Sequence, residues 1–170
     1  PQSRVRPGNR GDLGYFTVFN LIYPFEVAAY KTPVGEISMP VKTTFGYHLI
    51  YVTDKIPAIE RLTVSHIFIT DSLAAKGEMG PITKAKLDFI QDKLAKGADF
   101  ETLVTEYSED KGTIGKGGQL EPFTPQKRPG DFVKTSISLE PGQYSTPIPS
   151  STGWHIVKLI SIDYFKVSEE

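Results

Sequence analysis

The pattern of hydrophobic and polar residues predicts a strand and two helices near the middle of the chain. Residues 63–70 are rich in β-branched and aromatic side chains and predict a strand. Two helical segments follow, with Gly97 ending the first and Asp99 able to cap the second. The apolar residues at helical spacing are Ile82, Ala85, Phe89, Ile90 and Leu94 in the first segment, and Phe100, Leu103, Val104 and Tyr107 in the second.

The residues that follow predict a short strand, another helix and two closing strands. The glycine-rich bend of residues 115–118 leads into a short strand near Leu120, and residues 131–137 favour a helix. Residues 143–148 and 152–162 have the pattern of two strands joined by a turn. This order of elements is typical of an α+β domain whose helices pack on a small, mainly antiparallel sheet.

An internal repeat relates the start of the chain to its end. A shift of 107 positions aligns the two segments without a gap, and the identical residues include glycines, prolines and a histidine in fixed order. Gly8, Gly11, Leu13, Phe16, Thr17, Phe25, Gly35, Ser38, Pro40, Gly46 and His48 recur as Gly115, Gly118, Leu120, Phe123, Thr124, Phe132, Gly142, Ser145, Pro147, Gly153 and His155. The chain therefore contains a duplicated unit.

The two copies differ in length, because residues 62–108 have no counterpart before the first copy. We expect residues 1–56 to form the C-terminal half of a first domain, followed by a linker at residues 57–61. Residues 62–165 would form a complete second domain, and residues 166–170 a tail. An incomplete first copy would expose sheet edges and apolar surface. We expect either a bound upstream fragment or self-association with a neighbouring chain to cover that surface, or the region to be loosely folded.

Composition narrows the classes of function. Hydrophobic residues make up 39% of the chain, enough for a packed core. The 19 basic and 20 acidic residues give a net charge of -1, which argues against a nucleic-acid partner because no basic excess can neutralise phosphates. The absence of cysteine excludes thiol nucleophiles and disulfides. No run approaches the roughly 18 apolar residues of a transmembrane segment, and no signal peptide is visible after Pro1.

Histidine chemistry in the complete copy must come from His66 and His155. Each lies within a predicted strand between apolar neighbours, and each taken singly is typical of a buried core histidine. The two histidines together with the loop Tyr107-Ser108-Glu109-Asp110 form a more specific pattern.

This pattern resembles the parvulin-type peptidyl-prolyl cis–trans isomerases. The resemblance extends over residues 62–163, and tandem copies are typical of PpiC-like and SurA-like proteins of the bacterial envelope. The segments that carry it are Ser65–Ile69, Gly97–Phe100, Tyr107–Asp110, Gly117–Leu120 and Gly153–Val157, with Gly11–Phe16 and Gly46–Ile50 matching in the first copy.

The resemblance implies a parvulin, or FKBP-like, α+β fold with a four-stranded antiparallel sheet surrounded by helices. It implies isomerisation of proline-containing unfolded polypeptides in the periplasm, without a cofactor or a metal. His66 and His155 would be paired beneath the site, and Asp110 occupies a position where relatives carry Cys or Asp. The hydroxyl of Thr152 would join their hydrogen-bond chain. Substrate-binding roles are implied for Leu120, Arg128, Phe132 and Ser150.

Two features depart from the family pattern. Arg128 stands where many relatives have a methionine in the pocket, and it could narrow the pocket or select acidic neighbours of proline. Gln119 and Glu121 replace the usual Asp and Gly beside Leu120. The first copy keeps matching residues at Leu13, Leu21, Phe25 and His48, but it has neither a first histidine nor the Asp, so it cannot hold a complete active site.

Two functions remain open at this point. The first is an isomerase, and the alternative is a non-catalytic parvulin-fold chaperone module that binds unfolded envelope proteins. A requirement for a phosphorylated substrate is not expected, because the loop of residues 71–81 contains one basic residue, Lys76, and two acidic residues, Asp71 and Glu78. The glycines of residues 115–118 lack the spacing of a phosphate-binding loop. A metal site built from His66, His155 and Asp110 is the least favoured alternative.

Overall fold

The structure is a computed structural model that describes residues 11–128 and 130–165. The chain divides into two units, Pro1–Ile59 with Tyr164–Glu170 (unit 1) and Glu60–Asp163 (unit 2). Gly8 of the repeat, the first ten residues of the expected half domain and the expected tail at residues 166–170 lie outside the described residues.

Unit 1 is formed by a helix and a β-hairpin. Helix α1 spans Tyr23–Lys31, with a proline in its first turn, where the missing N–H costs no hydrogen bond. Strands β1 (Val41–Thr43) and β2 (Gly46–His48) pair antiparallel with Val41 opposite His48. A small core holds them together, formed by Ala29, Ile50 and Val52 with Phe16, Phe25, Ala28 and Val41.

Unit 2 is built on strand β3 (Ile59–Thr70), strand β4 (Ile148–Pro149) and strand β5 (Gly153–Tyr164), in the order β3-β5-β4. Its helices are α2 (Pro81–Ala95), α3 (Phe100–Tyr107) and α4 (Gly130–Ile137). Short 3-10 turns occur at Ala74–Lys76, Ile114–Lys116 and Pro125–Lys127. The predicted α+β architecture is confirmed, and no helix among the described residues has the length and apolar character of a membrane span.

The sheet has three continuous strands, whereas the family resemblance implied four. The segment that should form the fourth strand joins β3 only through isolated bridges, between Leu62 and Phe123 and between Ser65 and Gln119. The two bridges differ in register by one residue, because Leu62 and Ser65 are three residues apart on β3 whereas Gln119 and Phe123 are four apart on the other segment, so the ladder is not continuous there. The predicted strand at residues 143–148 is likewise reduced to Ile148–Pro149 and one bridge.

Helices α2 and α3 cover one face of the sheet and form the main core. The cluster contains Ile67, Ile69, Ala74, Leu87, Ile90, Leu94, Phe100, Leu103, Val104, Trp154 and Ile156. The predicted cap of α3 is confirmed, because the Asp99 carboxylate accepts the N–H of Thr102 at 2.8 Å. The predicted buried face of α3 is also confirmed, with Tyr107 at its edge.

The buried face of α2 was predicted only in part. Ile90 and Leu94 are buried as expected, but Ile82, Ala85 and Phe89 are exposed. The buried residues are Thr83, Leu87, Ile90 and Leu94. The spacing of apolar residues allowed either face of α2 to be buried, and packing against the sheet selected the face that carries Thr83. Phe89 instead meets the edge of the Tyr107 ring, with ring centres 5.9 Å apart.

Candidate functional site

Two neighbouring strands bring the histidines of unit 2 together. His66 lies in the middle of β3, and His155 lies three residues into β5. Their Nδ1 atoms are 3.0 Å apart, and their rings stack at 5.2 Å with an interplanar angle of 15°. The strand order β3-β5 creates this pair from residues far apart in sequence.

The loop after α3 places a carboxylate against His66. Helix α3 ends at Tyr107, and the next two residues bind to Phe68 of β3, where Ser108 Oγ accepts its N–H at 3.2 Å and the Glu109 N–H donates to its carbonyl at 2.8 Å. These bonds hold Asp110 beside His66, and 2.8 Å separates Asp110 Oδ2 from His66 Nε2.

A threonine that sequence reasoning missed completes the hydrogen-bond network. The Thr113 hydroxyl donates to Asp110 Oδ2 at 2.9 Å and lies 3.3 Å from His66 Nε2. The Gly112 N–H donates to Asp110 Oδ1 at 3.0 Å. The Asp-x-x-Thr spacing in a turn is a local signal that could have identified Thr113, because Asp side chains and threonine hydroxyls bond readily within one turn.

The hydrogen bonds assign a tautomer to each histidine. A carboxylate can only accept, so His66 Nε2 carries a hydrogen and His66 Nδ1 is an acceptor. The hydrogen between the two Nδ1 atoms therefore belongs to His155. This assignment leaves His155 Nε2 as an unprotonated acceptor in a neutral ring.

The protein environment favours neutral histidines beside an ionised carboxylate. Burial lowers the pKa of His66, although Asp110 opposes the shift. Burial, with the charges of His66 and Arg128, lowers the pKa of His155 to about 4. Burial alone would raise the pKa of Asp110, but hydrogen bonds from His66, Thr113 and Gly112 outweigh it and hold that pKa below its ordinary value. The Asp110 side chain is 31% exposed, so its carboxylate is accessible from solvent.

An aromatic cluster adjoins His155. Phe132 of α4 meets the His155 ring edge-on at 5.6 Å, and Phe123 lies 6.1 Å from Phe132 between ring centres. Leu120 is buried and its N–H donates to the carbonyl of Val64 in β3. The structure thus brings Phe132 to the histidine pair, and it adds Phe123, which the repeat had identified only as a recurring residue.

The other two residues with implied roles lie at the turn before β5. The Thr152 side chain is exposed and its carbonyl accepts the N–H of Asp71, and no hydrogen bond among the described residues joins its hydroxyl to the histidines. The hydroxyl in the network of this structure belongs to Thr113, and the role implied for Thr152 stays a prediction. Ser150 uses its Oγ to donate to the carbonyl of Gly153 at 3.0 Å, which closes the turn.

Arg128 lies over the aromatic cluster. Its guanidinium carbon is 5.2 Å from the centre of the Phe123 ring and 6.0 Å from that of Phe132. Among the described residues, no group of three His, Asp or Glu side chains is arranged to hold a metal ion.

Unit 1 contains half of the same arrangement. Phe25 meets the His48 ring edge-on at 5.5 Å, almost the same geometry as Phe132 and His155. The chain has three histidines in all, so unit 1 has no second histidine to pair with His48. His48 instead meets the Thr43 hydroxyl through its other ring nitrogen, with Nε2 2.7 Å from Thr43 Oγ1, whereas His155 meets His66 through Nδ1.

Comparison with known proteins identifies a family for most of the chain. The sequence model of the Rotamase family, described as the PPIC-type PPIase domain, matches residues 3–54 and 66–161. Chaperone SurA of Shewanella frigidimarina is 35% identical over 131 residues, or 75% of this chain and 30% of that protein. Foldase protein PrsA 4 of Bacillus cereus is 39% identical over 110 residues, or 65% of this chain and 35% of that protein.

A solved structure supports the same relationship. The crystal structure of the peptidylprolyl isomerase PrsA from Bacillus cereus aligns with a TM-score of 0.52 and 37% identity, over 65% of this chain and 38% of that one. The chain spans about a third of the length of the curated relatives it matches.

Proposed function

The chain belongs to the PPIC-type, or parvulin, family of peptidyl-prolyl isomerases, and from this premise we propose that unit 2 accelerates the cis–trans isomerisation of Xaa-Pro bonds in unfolded or secreted polypeptides. The observation that carries the proposal is the network of His66, His155, Asp110 and Thr113 directly beside an aromatic cluster. A periplasmic location, implied by the family resemblance, belongs to the same proposal.

The reaction needs neither a nucleophile nor a cofactor. The cis and trans forms of an Xaa-Pro bond differ by only about 0.5–1 kcal/mol, but a barrier of about 18–20 kcal/mol separates them because the planar amide is stabilised by conjugation. No bond breaks during rotation. Unit 2 must therefore bind the twisted amide more tightly than either planar form.

The aromatic cluster would hold the proline ring and remove water from its amide. Leu120, Phe123 and Phe132 supply the apolar surface. The planar amide has a charge-separated resonance form that water stabilises, so a dry surface favours the twisted form. A barrier lowered by about 4 kcal/mol corresponds to a rate increase of roughly a thousandfold.

The polar network would position one negative charge beside this surface. The two neutral histidines are joined by a hydrogen bond, and His66 orients the Asp110 carboxylate. A nearby carboxylate repels the partial negative charge that conjugation places on the substrate carbonyl, and this repulsion weakens the planar form. Asp110 acts here through its electrostatic field and not as a nucleophile.

The test is cis–trans exchange of an Xaa-Pro peptide measured by NMR. We expect wild type to accelerate exchange and Asp110→Asn to lower kcat/KM by about tenfold or more, because the amide keeps the shape but loses the charge. Asp88→Asn is the matched control, since Asp88 is an exposed residue of α2 paired with Lys84. Equal rates for wild type and Asp110→Asn would contradict the role of Asp110, and no acceleration by wild type would contradict the isomerase.

A chaperone function is the second candidate, and unit 1 supplies the observation that favours it. Its exposed apolar residues include Ile37, Met39, Tyr47, Leu49 and Tyr51 along the hairpin and its flanks. An apolar surface of this kind suits extended, aromatic-rich segments of unfolded chains. Suppressed aggregation of a proline-free client would support it, and Leu49→Lys should reduce the suppression. Unhindered aggregation of that client would oppose it.

We also propose that unit 1 is the C-terminal half of a parvulin repeat. Its hairpin register, with Val41 opposite His48, is the register of Ile148 opposite His155 shifted by 107 residues. The bridge between Ile37 and Tyr51 recurs as that between Tyr144 and Lys158 at the same shift. The hydrogen-exchange comparison in the Discussion tests this assignment.

A further inference from the structure

Arg128 occupies an unusual position for a cation. It follows the 3-10 turn Pro125–Lys127 in extended backbone, and its side chain is exposed. Its guanidinium nevertheless lies over two buried aromatic rings, at 5.2 Å from the centre of Phe123 and 6.0 Å from that of Phe132. The cation therefore covers the surface on which the proline ring would bind.

The fold itself does not require a charge at this position. The repeat places Leu21 of unit 1 at the position of Arg128, and helix α1 begins two residues later, as α4 begins two residues after Arg128. An aliphatic side chain therefore serves the same turn. The arginine is a feature of unit 2 alone.

The guanidinium has aromatic contacts but no carboxylate partner. Among the described residues, the ion pairs of this unit join lysines or His66 to acidic groups, and none includes Arg128. Glu121, the acidic residue closest in sequence before it, is paired with Lys116 at 2.8 Å. A charge-assisted, two-pronged bond to a carboxylate fixes the orientation of both partners, which an exposed cation–π contact does not.

We propose that Arg128 makes unit 2 selective for peptides in which an acidic residue adjoins the proline, as in Glu-Pro and Asp-Pro segments. The inference rests on the isomerase or binding function proposed above for unit 2. The carboxylate of the peptide binds the guanidinium, which moves away from the faces of Phe123 and Phe132. The proline ring then packs on the aromatic surface that this movement exposes. An arginine suits this exchange because its planar fork binds a carboxylate through two parallel N–H bonds and also stacks on aromatic rings.

Arg128 lies at the same site as the polar network, because the Phe132 ring, 6.0 Å from its guanidinium carbon, meets the His155 ring edge-on at 5.6 Å. Burial is the main cause that lowers the pKa of both His66 and His155, and the positive charge of Arg128 lowers it further. A carboxylate bound to Arg128 therefore lies close to the histidine pair. The proline that adjoins this carboxylate is then brought to the aromatic cluster.

The test compares two isosteric peptides, Ala-Glu-Pro-Phe and Ala-Gln-Pro-Phe, by NMR exchange at low salt. For wild type we expect kcat/KM to be about fivefold or more higher for the Glu peptide, and this ratio to fall as salt is added. Arg128→Leu, which installs the residue of the equivalent position in unit 1, should bring the ratio to about one. The measured quantity is the ratio of kcat/KM for the Glu peptide to kcat/KM for the Gln peptide, so a change that affects both rates equally leaves it unaltered.

Lys127→Leu is the matched control, because it removes one positive charge from the adjacent residue, which has no aromatic contact among the described interactions. It should preserve the ratio. A ratio near one for wild type, with both peptides accelerated, overturns the role of Arg128 while the isomerase stands.

If neither peptide is accelerated, the isomerase fails and the same pair is compared by binding, measured as chemical-shift titrations. A preference for the Glu peptide that Arg128→Leu removes then supports acidic selection by a binding module. Equal affinities for the two peptides overturn the selection.

Discussion

Unit 1 and the C-terminal half of unit 2 share their hydrogen bonds but not their surroundings. In unit 1 the Ile50 N–H donates to Ser38 Oγ at 3.1 Å, and the Ser38 N–H donates to the Ile50 carbonyl at 2.8 Å. In unit 2 the Val157 N–H donates to Ser145 Oγ at 3.0 Å, and the Ser145 N–H donates to the Val157 carbonyl at 2.8 Å. The repeated sequence therefore specifies local geometry with little variation.

Burial separates the two units. Leu49 is 69% exposed, whereas its equivalent Ile156 is fully buried, and Tyr47 is 73% exposed against 9% for Trp154. In unit 2, strand β3 with helices α2 and α3 contributes the residues that pack on Trp154 and Ile156. The comparison shows that the repeat sets the backbone, while the segment that only unit 2 possesses creates the core.

The repeated glycines show the same contrast at atomic scale. Gly46 has positive φ, and a Cβ built on it meets no atom within 4 Å. A Cβ on the equivalent Gly153 would overlap the carbonyl of Ile69 and touch the ring of Phe68. One glycine serves a turn in unit 1, and its equivalent also permits the close approach of β3 in unit 2.

The largest expected difference between the units is in hydrogen exchange. The Val157 amide should be protected at least about a thousandfold more than the Ile50 amide, although their hydrogen bonds are nearly equal in length, because exchange follows the free energy of opening and not bond length. Amide exchange followed by NMR on the whole chain measures both. Equal protection would mean that unit 1 has a stable core of its own and would argue against the half-repeat assignment.

Alanine substitutions at equivalent positions of the two units should also have a larger effect in unit 2 than in unit 1. Ile156→Ala should lower the free energy of unfolding of unit 2 by about 3 kcal/mol, because it leaves a cavity among fully buried residues. Leu49→Ala at the equivalent exposed position should cost less than about 0.5 kcal/mol. The single tryptophan of the chain, Trp154, reports on unit 2 alone in urea titrations. A large loss in both variants would show that Leu49 is buried in solution.

Acid should weaken unit 2 by protonating its histidines. Since the pKa of His155 falls to about 4 in the folded state, the unfolded chain binds more protons between pH 6.5 and 4. The free energy of unfolding should therefore decline by about 2–4 kcal/mol as pH falls from 6.5 to 4, and the stability is fully present above pH 6.5. Trp154 fluorescence in urea at several pH values measures it.

His155→Phe should remove a large part of this decline, while His48→Phe, the equivalent change in unit 1, should leave the Trp154 transition unchanged. A wild-type stability of unit 2 that stays constant between pH 6.5 and 4 would contradict a buried, neutral His155.

The smallest expected effect, about tenfold, is on catalysis by the same pair of variants. His155→Phe keeps an aromatic ring beside Phe132 but cannot bond to His66, so it should lower kcat/KM for an Xaa-Pro peptide by about tenfold. His48→Phe should leave the rate unchanged, because unit 1 lacks the second histidine and the aspartate. A rate that falls equally in both variants would place activity in unit 1 as well.

Sequence alone predicted the residues that depend on local pattern. The strand holding His66, the approximate bounds of α2, α3 and α4 and the Asp99 cap follow from periodicity and turn residues, and the duplication follows from self-similarity of the sequence. The family resemblance implied the neighbourhood of His66, His155 and Asp110, and the structure brings these side chains together.

Sequence reasoning was wrong where more than one local solution exists. Thr113 was missed as a member of the hydrogen-bond network, because only the path of the loop after α3 decided that its hydroxyl bonds to Asp110. The buried face of α2 and the interruption of the fourth strand near Pro122 depended on packing and pairing with β3.

By itself, the sequence determined the strand that holds His66, the helices of unit 2 and the duplication, because these follow from side-chain spacing and backbone preferences of neighbouring residues. Only the tertiary structure decided that His155 bonds to His66 while His48 bonds to Thr43. It also decided that Arg128 lies over Phe123 and Phe132. The reason is that hydrogen-bond partners and burial arise from residues far apart in the chain. Within the described part of the chain, β5 pairs with β3 and β4, whereas the hairpin of unit 1 forms a two-stranded sheet.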